Sequence, residues 1–121
     1  MRFACAALLL LSVFLAGLLT ACATVDATTT QYVGVPRFEP SDPKKVQILR
    51  SDPAKPFDRL GEIHLTPSVD PAPSVEDIEA RFRFEAAAIG ADAVIVIVDR
   101  TVPVIGYGPV RQLIGLPIHY R

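Results

Sequence analysis

The alternation of hydrophobic and polar positions predicts two short strands ahead of a helix. The first covers residues 45–49 and ends at the turn-forming sequence of residues 51–53. The second covers residues 57–66, in which apolar and polar positions alternate from Gly61 onward. Because Leu60 is out of phase with that alternation, Gly61 beside it is predicted to be a β-bulge or a point of close backbone approach.

A helix is predicted after residues 66–73, a loop that contains three prolines. Ser74 is placed to cap its N-terminus, and Glu76 and Asp77 in the first turn complement the helix dipole. Apolar side chains then recur at helical spacing and predict one buried stripe, formed by Val75, Ile78, Phe82, Ala86 and Ile89. Gly90 is predicted to end the helix in a left-handed conformation.

Residues 93–98 are apolar without interruption, which predicts a central strand covered on both faces. The helix covers one face, so the C-terminal strand and loops, or a second protein, must cover the other. The last strand is predicted over residues 112–121, with one face formed by Ile114, Leu116, Ile118 and Tyr120. Pro117 within it predicts an edge or bulged position. Residues 45–121 are therefore predicted to form an α+β domain in β-β-α-β-β order, with one helix on a mostly antiparallel sheet of three to four strands.

The segment between the last two strands, residues 101–110, is predicted to be a loop because it contains two prolines and two glycines. It is also apolar. Such a loop on a small exported domain is either folded back as a lid on the sheet, which we favour, or presented to a partner. Val104, Ile105 and Tyr107 are the candidate partner-binding residues.

Residues 1–21 are predicted to be a cleaved lipoprotein signal peptide. Arg2 precedes an apolar run, residues 6–19, that is too short to be preferred as a permanent membrane span. Residues 19–22, Leu-Thr-Ala-Cys, look like a lipobox, so Cys22 becomes the first mature residue and carries acyl chains. The alternatives are an ordinary signal peptide with a chance cysteine, or an uncleaved anchor. Ala23, where an aspartate would signal inner-membrane retention, implies an outer-membrane lipoprotein whose domain faces the periplasm.

Residues 22–44 are predicted to comprise the lipidated Cys22 and a flexible linker. The segment is rich in threonine and proline, and it buries too little apolar area to offset the entropy of ordering it. The alternative that residues 31–35 form the first strand of the domain stays open, because they include strand-forming residue types.

Composition excludes nucleic acid as a partner. The hydrophobic fraction of 50% is raised by the leader. Removal of Arg2 with that leader leaves 11 basic and 13 acidic residues, with no basic cluster. The release of counterions that drives binding to DNA and RNA therefore has no source in this chain.

The sequence offers little material for catalysis or metal binding. Cys5 lies in the leader and acylation consumes Cys22, so the mature domain has neither a disulfide nor a thiol nucleophile. The two histidines, His64 and His119, lie in no sequence typical of a catalytic site. Their strands could be neighbours, but a zinc or copper site between them would lack a third ligand. We therefore predict no enzyme activity, no metal site and no cofactor.

Two stretches of the chain carry a resemblance to a known family. Residues 55–63, Lys-Pro-Phe-Asp-Arg-Leu-Gly-Glu-Ile, and residues 90–94, Gly-Ala-Asp-Ala-Val, resemble the RcsF-like outer-membrane lipoproteins and, more widely, the small YbjQ-type domains. The similarity covers most of the chain after Lys45, together with the lipobox and the proline-containing spacer. RcsF-like domains are held by two disulfides, for which the mature domain here has no cysteines.

The resemblance implies a non-enzymatic outer-membrane lipoprotein with a periplasmic protein-interaction domain and, in its most specific form, envelope-stress sensing of the Rcs type. The implied partners are the outer membrane, through the lipid on Cys22, and envelope proteins such as outer-membrane barrels or their assembly machinery. Two alternatives remain. One is a lipoprotein that binds a ligand or metal beneath a lid of residues 102–110, and the other is a structural component that forms homo-oligomers, as YbjQ-type domains do.

Overall fold

A computed structural model describes residues 22–121, so the predicted signal peptide, residues 1–21, lies outside the described residues. The described chain contains six strands and one helix longer than a single turn. The strands are β1 (Val25–Gln31), β2 (Gln47–Leu49), β3 (Phe57–Arg59), β4 (Gly61–Pro67), β5 (Ala93–Val104) and β6 (Gly108–Tyr120), and the helix is α1 (Val75–Ala88). A short 3-10 turn, Pro43–Lys45, precedes β2.

The six strands form a single sheet in the order β1-β4-β6-β5-β2, with β3 also paired to β6. All pairs are antiparallel except β2 with β5. The predicted α+β class is confirmed. The predicted sheet of three to four strands is too small, because β1 adds an edge strand and a break divides the predicted second strand into β3 and β4.

The prediction of a flexible linker over residues 22–44 is wrong. β1 lies within that range and pairs with β4 along its whole length, from Val25 opposite Pro67 to Gln31 opposite Gly61. Val25 and Ala27 pack against the core, while intervening positions are exposed. Alternating small apolar residues and β-branched threonines are sufficient for a half-buried edge strand. The alternative strand at residues 31–35 is also misplaced, since β1 ends where that range begins.

The remainder of the predicted linker wraps around the C-terminal end of α1. The Ser41 amide donates to the Ala87 carbonyl at 2.8 Å, and the Ser41 hydroxyl donates to the Ala91 carbonyl at 3.1 Å. Phe38 packs against the core beside Gly90, which has a φ of 75° and ends the helix as predicted. A Cβ at Gly90 would lie 2.5 Å from the Phe38 Cβ, so the glycine also makes room for this segment.

The break between β3 and β4 is the bulge predicted at Leu60 and Gly61. Arg59 pairs with Ile118, whereas Ile63 pairs with Gly115, so β3 and β4 advance one residue further than β6 between these points. Gly61 is also a point of close approach, because a Cβ there would collide with the carbonyl oxygen of Thr30 in β1. Both parts of the prediction are confirmed.

Pro117 occupies a central strand rather than an edge, since β6 lies between β5 on one side and β3 and β4 on the other. The Leu60 amide donates to the Pro117 carbonyl at 2.9 Å, so the main-chain groups of Pro117 point toward the bulge. The missing N–H of proline therefore falls where the ladder is already interrupted. The edge prediction is wrong, and a bulge lies opposite this proline.

The helix packs one face of the sheet as its sequence pattern predicts. The Ser74 hydroxyl accepts from the Asp77 amide at 3.1 Å, which confirms the cap. Ile78, Phe82 and Ala86 are buried, whereas Val75 is 59% exposed and does not belong to the buried stripe. Val75 is the first residue of α1, and the residues of the helix that are buried against the sheet begin at Ile78.

The opposite face of the sheet has its own apolar cluster. Its buried members are Ala93, Ile95, Leu116 and Ile118, with Leu49, Phe57 and Tyr120 packed at its margin. Residues 50–56 connect β2 beside β5 to β3 beside β6, and Lys55 places its Nζ 5.1 Å from the centre of the Tyr120 ring. The loop of residues 50–56 thus crosses the second face, as predicted, whereas the C-terminal strand lies within the sheet beside β5 and does not cover it.

β5 contains a bulge at the point where it leaves this cluster. Val96 pairs with Gly115 and Val98 pairs with Ile114, which leaves Ile97 as an extra residue on β5. Ile97 is 53% exposed although the four preceding residues of β5 are buried. From Arg100 opposite Gln112 onward, past the last residues of β6 that pair with β4, β5 and β6 continue together as a two-stranded ribbon.

Replacing Gly61 with alanine is expected to destabilise the domain by more than about 2 kcal/mol, because the added Cβ would force β1 away from β4. Denaturant unfolding measures this loss. Gly34→Ala is the matched control. A Cβ at Gly34 meets no atom within 4 Å, and only its left-handed φ of 85° opposes the change, at a cost of about 1 kcal/mol. Equal losses in the two variants would contradict the close approach.

Candidate functional site

The predicted loop of residues 101–110 is instead the end of a β-hairpin. Pairing continues from Thr101 opposite Arg111 to Val104 opposite Gly108, and the Tyr107 amide donates to the Val104 carbonyl at 3.1 Å to close the turn. The loop prediction is wrong because proline interrupts a strand only where the ladder needs its missing N–H, and the two glycines, Gly106 and Gly108, lie in or directly beside the turn.

The two prolines of this hairpin face its free edges. Backbone groups alternate in direction along a strand, and the Pro117 carbonyl points away from β5. Pro109, eight residues earlier in the same strand, therefore also points away from β5, and Pro103, opposite it in β5, points away from β6. Neither proline removes a bond from the hairpin, which is why the ribbon tolerates both.

The tip presents three apolar side chains to solvent. Ile105 is fully exposed, Tyr107 is 87% exposed and Val104 is 38% exposed. The favoured prediction of a lid over the sheet is wrong, because the ribbon extends beyond the sheet. The alternative, that the segment is presented to a partner, stays a prediction with which the exposed tip is compatible. Val104, Ile105 and Tyr107 are brought together at one tip, which we call the hairpin tip.

Charged side chains begin at the base of the ribbon. Arg111 donates from Nε and one terminal nitrogen to the two carboxylate oxygens of Asp99, both at 3.2 Å. Arg100 lies beside them, with a long contact of 3.5 Å to Gln112. Residues 101–110 contain no charged residue. The end of the ribbon is therefore uncharged, whereas its base carries charged side chains.

Cys22 is exposed and its thiol is free. The chain is fixed close to it, because the Ser68 amide donates to the Thr24 carbonyl at 2.8 Å and the Thr24 amide donates to the Ser68 hydroxyl at 2.9 Å. Only Ala23 separates this fixed point from Cys22. The candidate lipid attachment point therefore lies directly at the sheet.

The strand register puts Cys22 and the hairpin tip at the same end of the sheet. Val25 pairs with Pro67 of β4, and the residues that precede β1 run past that end. Leu65 pairs with Leu113 of β6, so the tip, which comes before Leu113 in the chain, extends past the same end. At about 3.3 Å per residue, Cys22 reaches about 10 Å beyond Val25.

The two histidines are held apart on opposite faces. His64 pairs with Ile114 of β6, and His119 lies five residues further along that strand, which reverses the direction of the side chain. The His119 ring stacks on Phe38 with centroids 3.8 Å apart. They cannot share a metal ion. Within residues 22–121, no group of three or more potential metal ligands comes together.

A polar cluster that the sequence pattern did not predict lies on the sheet face opposite α1. The Tyr32 hydroxyl donates to Glu62 Oε1 at 3.2 Å, and His64 Nε2 lies 2.9 Å from Glu62 Oε2. The hydrogen bonds from His64 first and Tyr32 second lower the pKa of Glu62, whereas burial, followed by the Glu62 hydrogen bond, raises the pKa of Tyr32. The alternation of side chains along β4 is enough to place Glu62 and His64 on one face of the sheet. Tyr32 lies beside them only because β1 pairs with β4.

A shallow groove of about 810 Å³ runs between β2 and α1. Lys44 and Lys45 stand at its edge, and Arg83 on the helix donates from Nε to the Val46 carbonyl at 3.1 Å. Glu79 lies 3.6 Å from Arg83 and offsets its charge. The groove is open to solvent along the free edge of β2.

Comparison with known proteins gives a fold neighbour but no family. No family model matches the chain, and no curated protein matches it. The crystal structure of a Francisella virulence factor, FvfA, is similar, with a TM-score of 0.54 at 15% identity over 78% of this chain and 97% of that chain. This likeness concerns the fold alone. In the portion from Cys22 to Arg121, no helix is long and apolar enough to cross a membrane.

Removal of its partners is expected to return the pKa of Glu62 toward its ordinary value of 4.5, further in His64→Ala than in Tyr32→Phe, because His64 is the larger cause. Carboxyl-carbon NMR titration measures both shifts. A lowered folded-state pKa stabilises the domain above the unfolded value, and this stabilisation is lost as pH falls through the folded value. The acid-side loss of stability should accordingly weaken in both variants. An unchanged Glu62 titration in His64→Ala would contradict the cluster.

Proposed function

We propose that this protein is a non-enzymatic outer-membrane lipoprotein whose domain faces the periplasm and contacts another component of the envelope. The observation that carries the proposal is the lipobox-like sequence of residues 19–22, whose cysteine lies three residues before β1. Acylation of Cys22 would attach the folded sheet to the membrane almost directly.

The short connection limits which partners the domain reaches. Thr24 is bound to Ser68, so the flexible reach from the lipid is one or two residues, about 7 Å at full extension. A partner must therefore lie in or beside the same membrane. Outer-membrane barrels and their assembly proteins, which the resemblance to RcsF-like lipoproteins implies, meet this requirement. Envelope-stress sensing of the Rcs type is the most specific form of the proposal.

The contacts of the candidate chemical groups support a non-enzymatic role without a cofactor. His64 is bonded to Glu62, and the His119 ring is stacked on Phe38 with its Nε2 3.8 Å from Asp92. Acylation would consume the Cys22 thiol. Each of these side chains thus has a structural use, and the two imidazoles, on opposite faces of the sheet, cannot act on one substrate.

Self-association is the second candidate function, and one observation favours it. Among residues 22–121, β1 pairs with β4 on one side only, so the alternate residues of this seven-residue edge strand that face away from β4 leave their backbone groups free. Free strand edges are templates for pairing with another chain. Antiparallel pairing of two β1 edges would join two domains at the same membrane.

Substitution of Cys22 with serine is expected to leave the domain folded while releasing it from the membrane, since Cys22 is exposed and makes no packing contact with the core. Circular dichroism tests the fold, and membrane fractionation with mass spectrometry of the N-terminal peptide tests the anchor. We also expect loss of complementation in a deletion strain.

Ala23→Asp is the matched control for this experiment. It keeps the acylated cysteine and, in a bacterium that uses aspartate as an inner-membrane retention signal, should move the protein to the inner membrane. An unmodified Cys22 in the wild-type protein would overturn the lipoprotein assignment. Full complementation by soluble Cys22→Ser would show that the anchor supplies an address and no more.

Light scattering of the Cys22→Ser protein tests self-association without the lipid. A dimer that Thr29→Pro converts to a monomer would support pairing through the β1 edge, because the Thr29 backbone faces away from β4 and proline removes its outward donor. A monomer at high concentration before any substitution would remove this candidate.

A further inference from the structure

We propose that the hairpin tip inserts into the lipid surface of the membrane that holds Cys22, with Ile105 and Tyr107 as the inserted side chains. This inference rests on the proposed acylation of Cys22 and goes beyond it. The domain would then contact the membrane at two points, through the lipid on Cys22 and through the hairpin tip.

The first argument is position. Cys22 and the hairpin tip leave the same end of the sheet, as the pairing of β1 with β4 and of β4 with β6 requires. The tip lies about five residues of extended chain past Arg111, and thus about 15 Å beyond the level of Pro67. Acyl chains on Cys22 would hold this end against the bilayer, so the tip reaches the lipid without any rearrangement.

The second argument is chemistry. Ten consecutive residues, 101–110, carry no charge, and the most exposed side chains among them are Ile105 and Tyr107. Isoleucine favours the acyl region, and tyrosine favours the boundary where its ring is apolar and its hydroxyl remains hydrated. Arg100 and Arg111 at the base of the ribbon lie where headgroup phosphates would be.

The third argument is the backbone. A ribbon entering lipid must limit its unpaired N–H groups, because each one costs free energy in a medium that offers no acceptor. Pro103 and Pro109 occupy outward-directed positions on both edges and have no N–H group there. The same prolines oppose addition of a partner strand to either edge, which favours lipid over a protein that pairs with the hairpin.

The chain contains no tryptophan, so a single introduced indole reports on its own surroundings. We would reconstitute acylated Tyr107→Trp into phosphatidylethanolamine and phosphatidylglycerol vesicles, with and without brominated acyl chains. The matched control is Val33→Trp. Val33 is also fully exposed, but it follows β1 at the opposite end of the sheet. Mass spectrometry of each preparation establishes that Cys22 is acylated.

The expected result for Tyr107→Trp is a blue shift of indole emission and loss of that emission with brominated lipid, while Val33→Trp keeps water-like emission in both vesicles. Water-like emission of acylated Tyr107→Trp would overturn the insertion and leave the lipoprotein proposal standing. A blue shift without bromine quenching would mean that a second copy of the chain covers the tip, which also overturns it. Absence of acylation in cells would instead remove the proposed function and this inference together.

Discussion

Contact between Phe82 and Gly115 determines where the helix sits on the sheet. A Cβ at residue 115 would lie 2.7 Å from the Phe82 Cε1 atom and 2.5 Å from a methyl group of Val94, so the buried aromatic ring occupies the space that glycine leaves on β6. Truncation of a buried aromatic side chain to alanine typically lowers the free energy of unfolding by about 3 to 5 kcal/mol. β6 is also the central strand of the sheet, paired with β5 on one side and with β3 and β4 on the other, so the helix, the bulge at Gly61 and the hairpin all take their positions from it.

Local signals in the sequence predicted the elements whose cause is local. Ser74 caps the helix through a bond within one turn, and Gly61 adjoins a residue that is out of phase with its own strand, so both could be recognised from neighbouring residues. β1 could not, because the partner that makes Val25 a strand residue is Pro67, 42 positions away. The hairpin was missed for a related reason, since proline is tolerated wherever its nitrogen faces a free edge.

The candidate site shows the same division. Its residue identities, Cys22 and the apolar side chains of the tip, follow from composition and spacing alone. Their shared location at one end of the sheet depends on two long-range pairings, β1 with β4 and β4 with β6, that no short window contains. A flexible linker of some twenty residues would have made that location irrelevant. With only Ala23 between the fixed chain and Cys22, the orientation of the domain relative to Cys22 becomes a property of the fold.

The extra residue at Ile97 affects the direction in which the hairpin leaves the sheet. A β-bulge bends its strand and increases the local twist, and this one directly follows the four buried residues of β5, Ala93–Val96. The direction of the hairpin is therefore set by one residue that contributes to neither cluster. Insertion or deletion of one residue at Ile97 would redirect the hairpin relative to the sheet while both apolar clusters keep their residues, so the direction of the hairpin and the stability of the core depend on different residues.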